Sequence, residues 1–242
     1  MAMKVTVVDD EMFATAAATA LLAALPPSAP RLGVATGGTP MRLYAELARR
    51  SGCGEIDLSA AVLIALDEYV GLDDGDPHSY AAYVNVHIAG PLGVPAANVH
   101  VPQSSGDPAT VAAEFEERIG ELGGVDVQIA GIGSNGHLAF NEPGSALDST
   151  TRMVVLSEQT RRDNARYFGG RVDDVPRRAI TQGLATICRA RSVLLLVSGP
   201  AKAEALAAAL GGPVISDVPA SVLQRHEDVT VIADRAAWSR MA

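Results

Sequence analysis

The chain is poor in aromatic residues, lysine and cysteine, and it has no long apolar run. Aromatics make up 4% of its 242 residues while 48% are hydrophobic, so a core has to be built from Ala, Val, Leu and Ile. That composition suits buried parallel strands under helices. The two cysteines, Cys53 and Cys188, stand far apart and form no C-x-x-C pair. They exclude a disulfide framework or a zinc knuckle and read as buried thiols in a reducing compartment. A formal charge of −9 excludes nucleic acid as a general partner, because duplex binding needs a basic face. No segment approaches the length of a membrane span. One stretch, Ala14 to Leu25, imitates the apolar centre of an export signal. But Asp9, Asp10 and Glu11 precede it where positive charge belongs, and Pro26 and Pro27 end it. It reads as an ordinary amphipathic helix of a cytoplasmic protein.

What is present is a regular alternation. Apolar runs at 4–8, 31–35, 61–66, 98–101, 125–132, 152–156, 192–198 and 228–233 are strand candidates, and helix-length segments separate most of them. Residues 108–122 carry Val111, Phe115, Ile119 and Leu122 on one helical face. The pattern predicts an α/β fold: an open, mainly parallel sheet with helices on both faces, a Rossmann-like three-layer sandwich. The length would suit one large domain or two small ones. With no repeat, low-complexity segment or linker, a single domain over 1–242 is expected.

Open α/β sheets bind ligands beyond the carboxyl ends of their strands, which directs attention to the polar residues there. After the second strand, "ATGGTP" places Thr36, Gly37, Gly38 and Thr39 before a helix, with Thr39 suited to the N-cap and Pro40 to the first helical position. Amide groups so arranged bind anions; a capped turn with nothing bound explains the same residues equally well. Only two lysines occur, Lys4 and Lys202, and Lys202 lies just inside a helix that starts after Gly199-Pro200. A cation there opposes the helix dipole by roughly 0.3–1 kcal/mol, unless an anion binds beside it. After the third strand come Asp67 and Glu68. Adjacent positions face opposite ways, so only one of them can face the cleft, where burial would suit it to general-base work; a helix cap or a surface ion pair is the plain alternative. In "GIGSNGHLAFNEPG", Asn135 and His137 share a face if the segment is extended, and Gly133 and Gly136 allow positive φ and close approach. His137 can carry protons near neutral pH, and the loop through Phe140 and Asn141 would fold Glu142 back onto it. Arg162 and Arg166, four apart, share a helix face, and either would reach a phosphate.

Together, "ATGGTP", "LDEYVGL", "HSYAAYVN", "GIGSNGHLAFNEPG", "TRRDNARYF", "ITQGLATI" and "SGPAKAEAL" resemble glucosamine-6-phosphate deaminases from about Lys4 to Arg235. That family turns glucosamine 6-phosphate and water into fructose 6-phosphate and ammonia without cofactor or metal. The resemblance implies that Asp67 moves a proton between C2 and C1, that His137 opens the ring with Glu142 as its partner, and that Asn135 stands where several members carry Asp. It implies that Thr36, Gly37, Gly38, Thr39, Arg166 and Lys202 bind the substrate phosphate. Asn135 supplies no charge, so His137 would depend on Glu142 alone; shorter members also have Asn there. Hexameric members bind N-acetylglucosamine 6-phosphate between subunits, and one basic residue of that site corresponds to Val154, although Arg152 remains. The chain also stops at Ala242 without the longer C-terminal extension. The expected enzyme is therefore of the short, unregulated type, a monomer or weak homo-oligomer acting on a small sugar phosphate. Rivals are a 6-phosphogluconolactonase, which shares the fold and phosphate loop but needs no base at C2, and a galactosamine-6-phosphate deaminase. A sugar-phosphate sensor would need a helix-turn-helix segment for which there is no room. A Schiff base between Lys202 and pyridoxal phosphate would colour the protein.

Overall fold

A computed structural model describes residues 3–241. In chain order the elements are β1 (Lys4–Val8), α1 (Phe13–Ala24), β2 (Arg31–Val34), α2 (Gly38–Gly52), β3 (Val62–Ala65) and β4 (Asp67–Tyr69). There follow α3 (Tyr80–Val84), a π-helical turn (Asn85–Ala89), α4 (Gly90–Leu92), β5 (Val99–His100), α5 (Pro108–Glu121), β6 (Val127–Gly131) and β7 (Arg152–Val155). The last are α6 (Glu158–Asn164), β8 (Arg178–Thr181), α7 (Leu184–Cys188), β9 (Ser192–Val197), α8 (Ala203–Gly211) and β10 (Val229–Asp234).

Seven strands form one sheet in the order β1-β10-β9-β6-β2-β3-β5, and every neighbouring pair in it is parallel. Central strands are apolar throughout because both faces are covered: all six residues of β9 are buried. Where water reaches, burial is lost: no residue of the edge strand β1 is fully buried. The segment that imitates an export signal is α1. It turns Phe13, Ala17, Ala18 and Leu21 into the core, one stripe at helical spacing.

Three expectations need correction. The 152–156 run is a strand, β7, but it pairs antiparallel with β8, and β8 pairs antiparallel with β4, in a separate three-stranded sheet. Neither β4 nor β8 has an apolar run to announce it: β4 reads DEY and β8 reads RAIT, and the small sheet depends on tertiary pairing rather than pattern. Thr39 is not the N-cap of α2. The helix starts at Gly38, and Gly37 takes the cap position with φ +114°, a backbone state that a side chain at Thr39 could not have replaced. The thiols also differ: Cys53 is exposed at the end of α2, while Cys188 is half-buried.

The small sheet packs under the loops that follow the large one. Tyr69, Phe140, Phe168 and Ala179 form a cluster of their own there. The segment after β8 passes closely over the one before β7 at Gly183, where a Cβ would overlap the carbonyl groups of Ser149 and Thr150. Gly183→Ala should therefore lower stability by roughly 1–3 kcal/mol, seen as a lower urea midpoint with unchanged slope.

Candidate active site

Four strands that are adjacent in the sheet, β9, β6, β2 and β3, send their carboxyl ends to one hollow of about 920 Å³. Thr36, Gly37, Gly38 and Thr39 follow β2, Asp67 follows β3, Gly133 and His137 follow β6, and Lys202 follows β9; all line the hollow, and Arg166 joins them from the segment after α6. Asn135 and Glu142 do not line it and stand behind His137. Arg162 lies outside too, paired with Glu158 on an exposed face.

The Thr36–Thr39 loop is tied from both sides. The Tyr44 hydroxyl donates to Ala35 O at 2.8 Å, fixing the end of β2 to α2, and the Tyr83 hydroxyl donates to Gly37 O at 3.1 Å. With its carbonyl so held, Gly37 leads into α2 with the amides of Gly38 and Thr39 in the first turn, where no helix carbonyl can accept from them. Arg166 and Lys202 line the same hollow as the loop. Among the described residues neither has a carboxylate within 4 Å, whereas most arginines of this acidic chain are paired. Burial lowers the Lys202 amine below its usual range, Asp163 pulls it back up, and Arg166 adds to the lowering. Two unmatched cations and free first-turn amides in one hollow form a place for a dianion.

Asp67 and Glu68 lie in β4 and are both buried, with 6% and 1% exposure. Their roles separate as adjacent positions on a strand require. Glu68 turns inward and accepts from the backbone amides of Tyr69 at 2.7 Å, Tyr80 at 3.0 Å and Ala81 at 2.8 Å. Asp67 turns into the hollow with no hydrogen bond to its carboxylate among the described residues. Burial, and then the charge of Glu68, push its carboxyl up to about 8.

The His137 loop is a tight turn and not the extended segment expected. Gly136 N–H donates to Gly133 O at 3.1 Å, Gly133 N–H donates to His137 O at 2.9 Å, and Gly136 has φ +83°. Gly133 does not take positive φ; it is needed because the His137 ring lies where its Cβ would be. Glu142 folds back as expected, its Oε2 3.8 Å from His137 Nδ1. Asn135 joins both: its Nδ2 donates to Glu142 Oε2 at 2.9 Å, and its Oδ1 accepts from His137 N–H at 3.2 Å. His137 Nδ1 is buried and has no hydrogen-bond partner among the described residues, which leaves Nε2 for the hollow. Burial lowers the imidazole below its usual range; Glu142 and Asp163 oppose this, and Lys202 reinforces it.

No sequence pattern announced an aromatic wall around the hollow. Six of the ten aromatic side chains line the hollow: Tyr69, Tyr80, Tyr83, Phe140, Tyr167 and Phe168. Tyr80 stacks on Phe140 with centroids 6.0 Å apart and lies 4.8 Å from Tyr69, beside Asp67. In a chain this poor in aromatics, the clustering of tyrosines in 69–83 was the available signal. Among the described residues no group of three or more His, Cys, Asp and Glu is placed to hold a metal.

Residues 9–232 match the family described as glucosamine-6-phosphate isomerases/6-phosphogluconolactonase. The chain is 50% identical over 214 residues to a glucosamine-6-phosphate deaminase of Cutibacterium acnes, covering 88% of this chain and 82% of that one. It is 46% identical over 242 residues to a glucosamine-6-phosphate deaminase of Beutenbergia cavernae, covering 99% and 93%. A solved monomeric glucosamine-6-phosphate deaminase superposes with a TM-score of 0.94 at 39% identity, covering 98% of this chain and all of that one. A 6-phosphogluconolactonase from Leishmania guyanensis shares the fold, with a TM-score of 0.78 at 21% identity and full coverage of both chains.

The Asp67 carboxyl has a thermodynamic signature. Unfolded, it would lose its proton near pH 4; folded, it holds it to about 8. The native state therefore binds more protons than the unfolded state in that window, and stability falls as pH rises through it. Asp67→Asn should melt with the parent at pH 4 or below and roughly 2–8 °C above it at pH 8.5. Melting curves that stay parallel across the range would refute the burial account.

Proposed function

Because the chain belongs to the family of glucosamine-6-phosphate isomerases and 6-phosphogluconolactonases, we propose that it converts glucosamine 6-phosphate and water into fructose 6-phosphate and ammonia. The observation that carries this reading is that one hollow is lined together by Asp67, His137, the Gly37–Thr39 loop, Arg166 and Lys202. A lactonase would use the same phosphate end but has no task for a base at C2.

The phosphate dianion supplies the charge that Arg166 and Lys202 lack, and first-turn amides complete its hydrogen bonds. Anchoring that end lays C1 and C2 beside Asp67. His137, neutral because burial disfavours its charged form, takes the C1 hydroxyl proton through Nε2 and returns a proton to the ring oxygen. The imidazolium formed in between faces Glu142. In the open chain, Asp67 removes the C2 proton and delivers it to C1 while the ammonium gives up a proton to O1, so that the C1 carbonyl becomes a hydroxyl and an iminium is left at C2. Water adds to the resulting iminium at C2, and ammonia leaves. Ionised Asp67 is unfavourable in the empty hollow, and the substrate's own C2 ammonium is the cation that stabilises it on binding. The aromatic wall keeps water from that edge.

Residues 1–242 are proposed to act as one domain. The protein is proposed to be cytoplasmic, monomeric or weakly associated, and free of allosteric control. Val154 stands where a basic residue would be needed, and Arg152 is engaged by Asn141 Oδ1 at 2.8 Å and Ser145 at 3.4 Å. No described helix is long and apolar enough to cross a membrane.

Ammonia release should be seen with glucosamine 6-phosphate and not with 6-phosphogluconolactone; the galactosamine epimer settles the C4 preference. Asp67→Asn should lose about 10²–10⁴-fold in kcat, while Arg166→Ala and Lys202→Ala should chiefly raise KM. Full activity of Asp67→Asn would remove the base. Titration with N-acetylglucosamine 6-phosphate should leave the substrate curve hyperbolic and unmoved; saturable activation would contradict the unregulated reading.

A further inference from the structure

Glu142 is held from two directions. Its Oε2 faces Asn135 and His137, and its Oε1 accepts from two hydroxyls, Ser157 Oγ at 3.1 Å and Thr160 Oγ1. Ser157 is also the N-cap of α6, accepting from Thr160 N–H at 3.1 Å. Thr160 is buried, lines the hollow and begins the run that reaches Arg166 at the end of the same segment. A threonine kept only for its shape would have no need to bury its hydroxyl against a carboxylate, where valine would fit. Meanwhile His137 Nδ1 remains buried and has no hydrogen-bond partner among the described residues, with Glu142 Oε2 at 3.8 Å, just beyond hydrogen-bond reach.

We propose that Thr160, seconded by Ser157, is a positioning residue for ring opening: the two hydroxyls fix Glu142 Oε1 so that Oε2 faces the imidazole, and they join the phosphate-binding segment to His137. The proposal rests on the deaminase reading above and assigns Thr160 no contact with the reacting atoms. Its consequence is directional. The charged groups around His137 are Glu142 from its own loop, Lys202 after β9 and Asp163 of α6. Of these, only Glu142 has its charge shared with hydroxyl donors from α6. Removing a donor leaves more of that charge for the imidazole, which then holds its proton to higher pH and is a base over a narrower range.

Thr160→Val keeps the shape and removes the hydroxyl. Relative to the parent it should show kcat about tenfold lower, KM within about twofold, and an acid limb of the rate profile moved up by roughly half a pH unit. Thr160→Ser should restore all three. NMR titration of the His137 ring, assigned with His137→Gln, should show the same upward movement in Thr160→Val without any substrate. A parental pH profile and a parental ring titration in a folded Thr160→Val would overturn the proposal, as would Thr160→Ser behaving like Thr160→Val. A parent protein that releases no ammonia from glucosamine 6-phosphate would instead overturn the deaminase reading, and the ring titration would still decide whether the hydroxyl governs His137.

Discussion

One buried carboxylate holds the reacting side of the hollow together. Glu68 gathers three backbone amides, one from its own strand and two from the start of α3. That contact fixes where β4 ends and where α3 begins, so it sets the distance between Asp67 and the Tyr80 ring. It also plants a charge beside Asp67 that raises the neighbour's proton affinity. Burial keeps the Glu68 carboxyl itself above its ordinary range, against the pull of its three amide donors. A carboxylate with so many donors resists displacement, since each lost bond leaves a buried polar group unmet. Asp67 is its opposite in use: equally buried, with nothing donating to its carboxylate among the described residues, and turned to where a substrate would sit.

The hollow holds unsatisfied charges of both signs. Among the described residues Arg166 and Lys202 lack carboxylate partners, in a protein with an excess of acidic groups, and the Asp67 carboxyl lacks a donor. On the proposed function, the phosphate of an amino sugar would meet those cations and its ammonium would meet Asp67. This is a form of preorganisation: the electrostatic disfavour is built into the folded state and relieved by the ligand. It also resolves why the scarce lysine sits near a helix start.

Much of this was legible in the chain itself. Apolar runs located every strand of the large sheet, and the rule of strand ends led to Asp67, His137 and the Gly37 loop. The small sheet was not legible, because Asp67-Glu68-Tyr69 has the composition of a loop and becomes a strand only by pairing with Ala179 to Thr181. The cap of α2 was misplaced by two residues, since Thr39 matches the usual cap chemistry while the backbone needed a glycine at Gly37. Ser157 and Thr160 were invisible as partners of Glu142, because a contact across 15 or 18 residues leaves no local pattern. The aromatic wall was hidden for the same reason, although the low aromatic content was itself a hint.

The outermost pairing of the large sheet sets a timetable for the nascent chain. β1 is synthesised before every other strand of its sheet, yet its neighbour is β10, with Lys4 opposite Thr230. Closing so long a loop adds only slowly to the entropy to be overcome, as the logarithm of its length, but translation imposes a delay that entropy does not. Until the final strand emerges, β1 has no ladder to join, while α1 can already lean on β9. The exposed, weakly apolar face of β1 fits a strand that must wait in water without sticking to others.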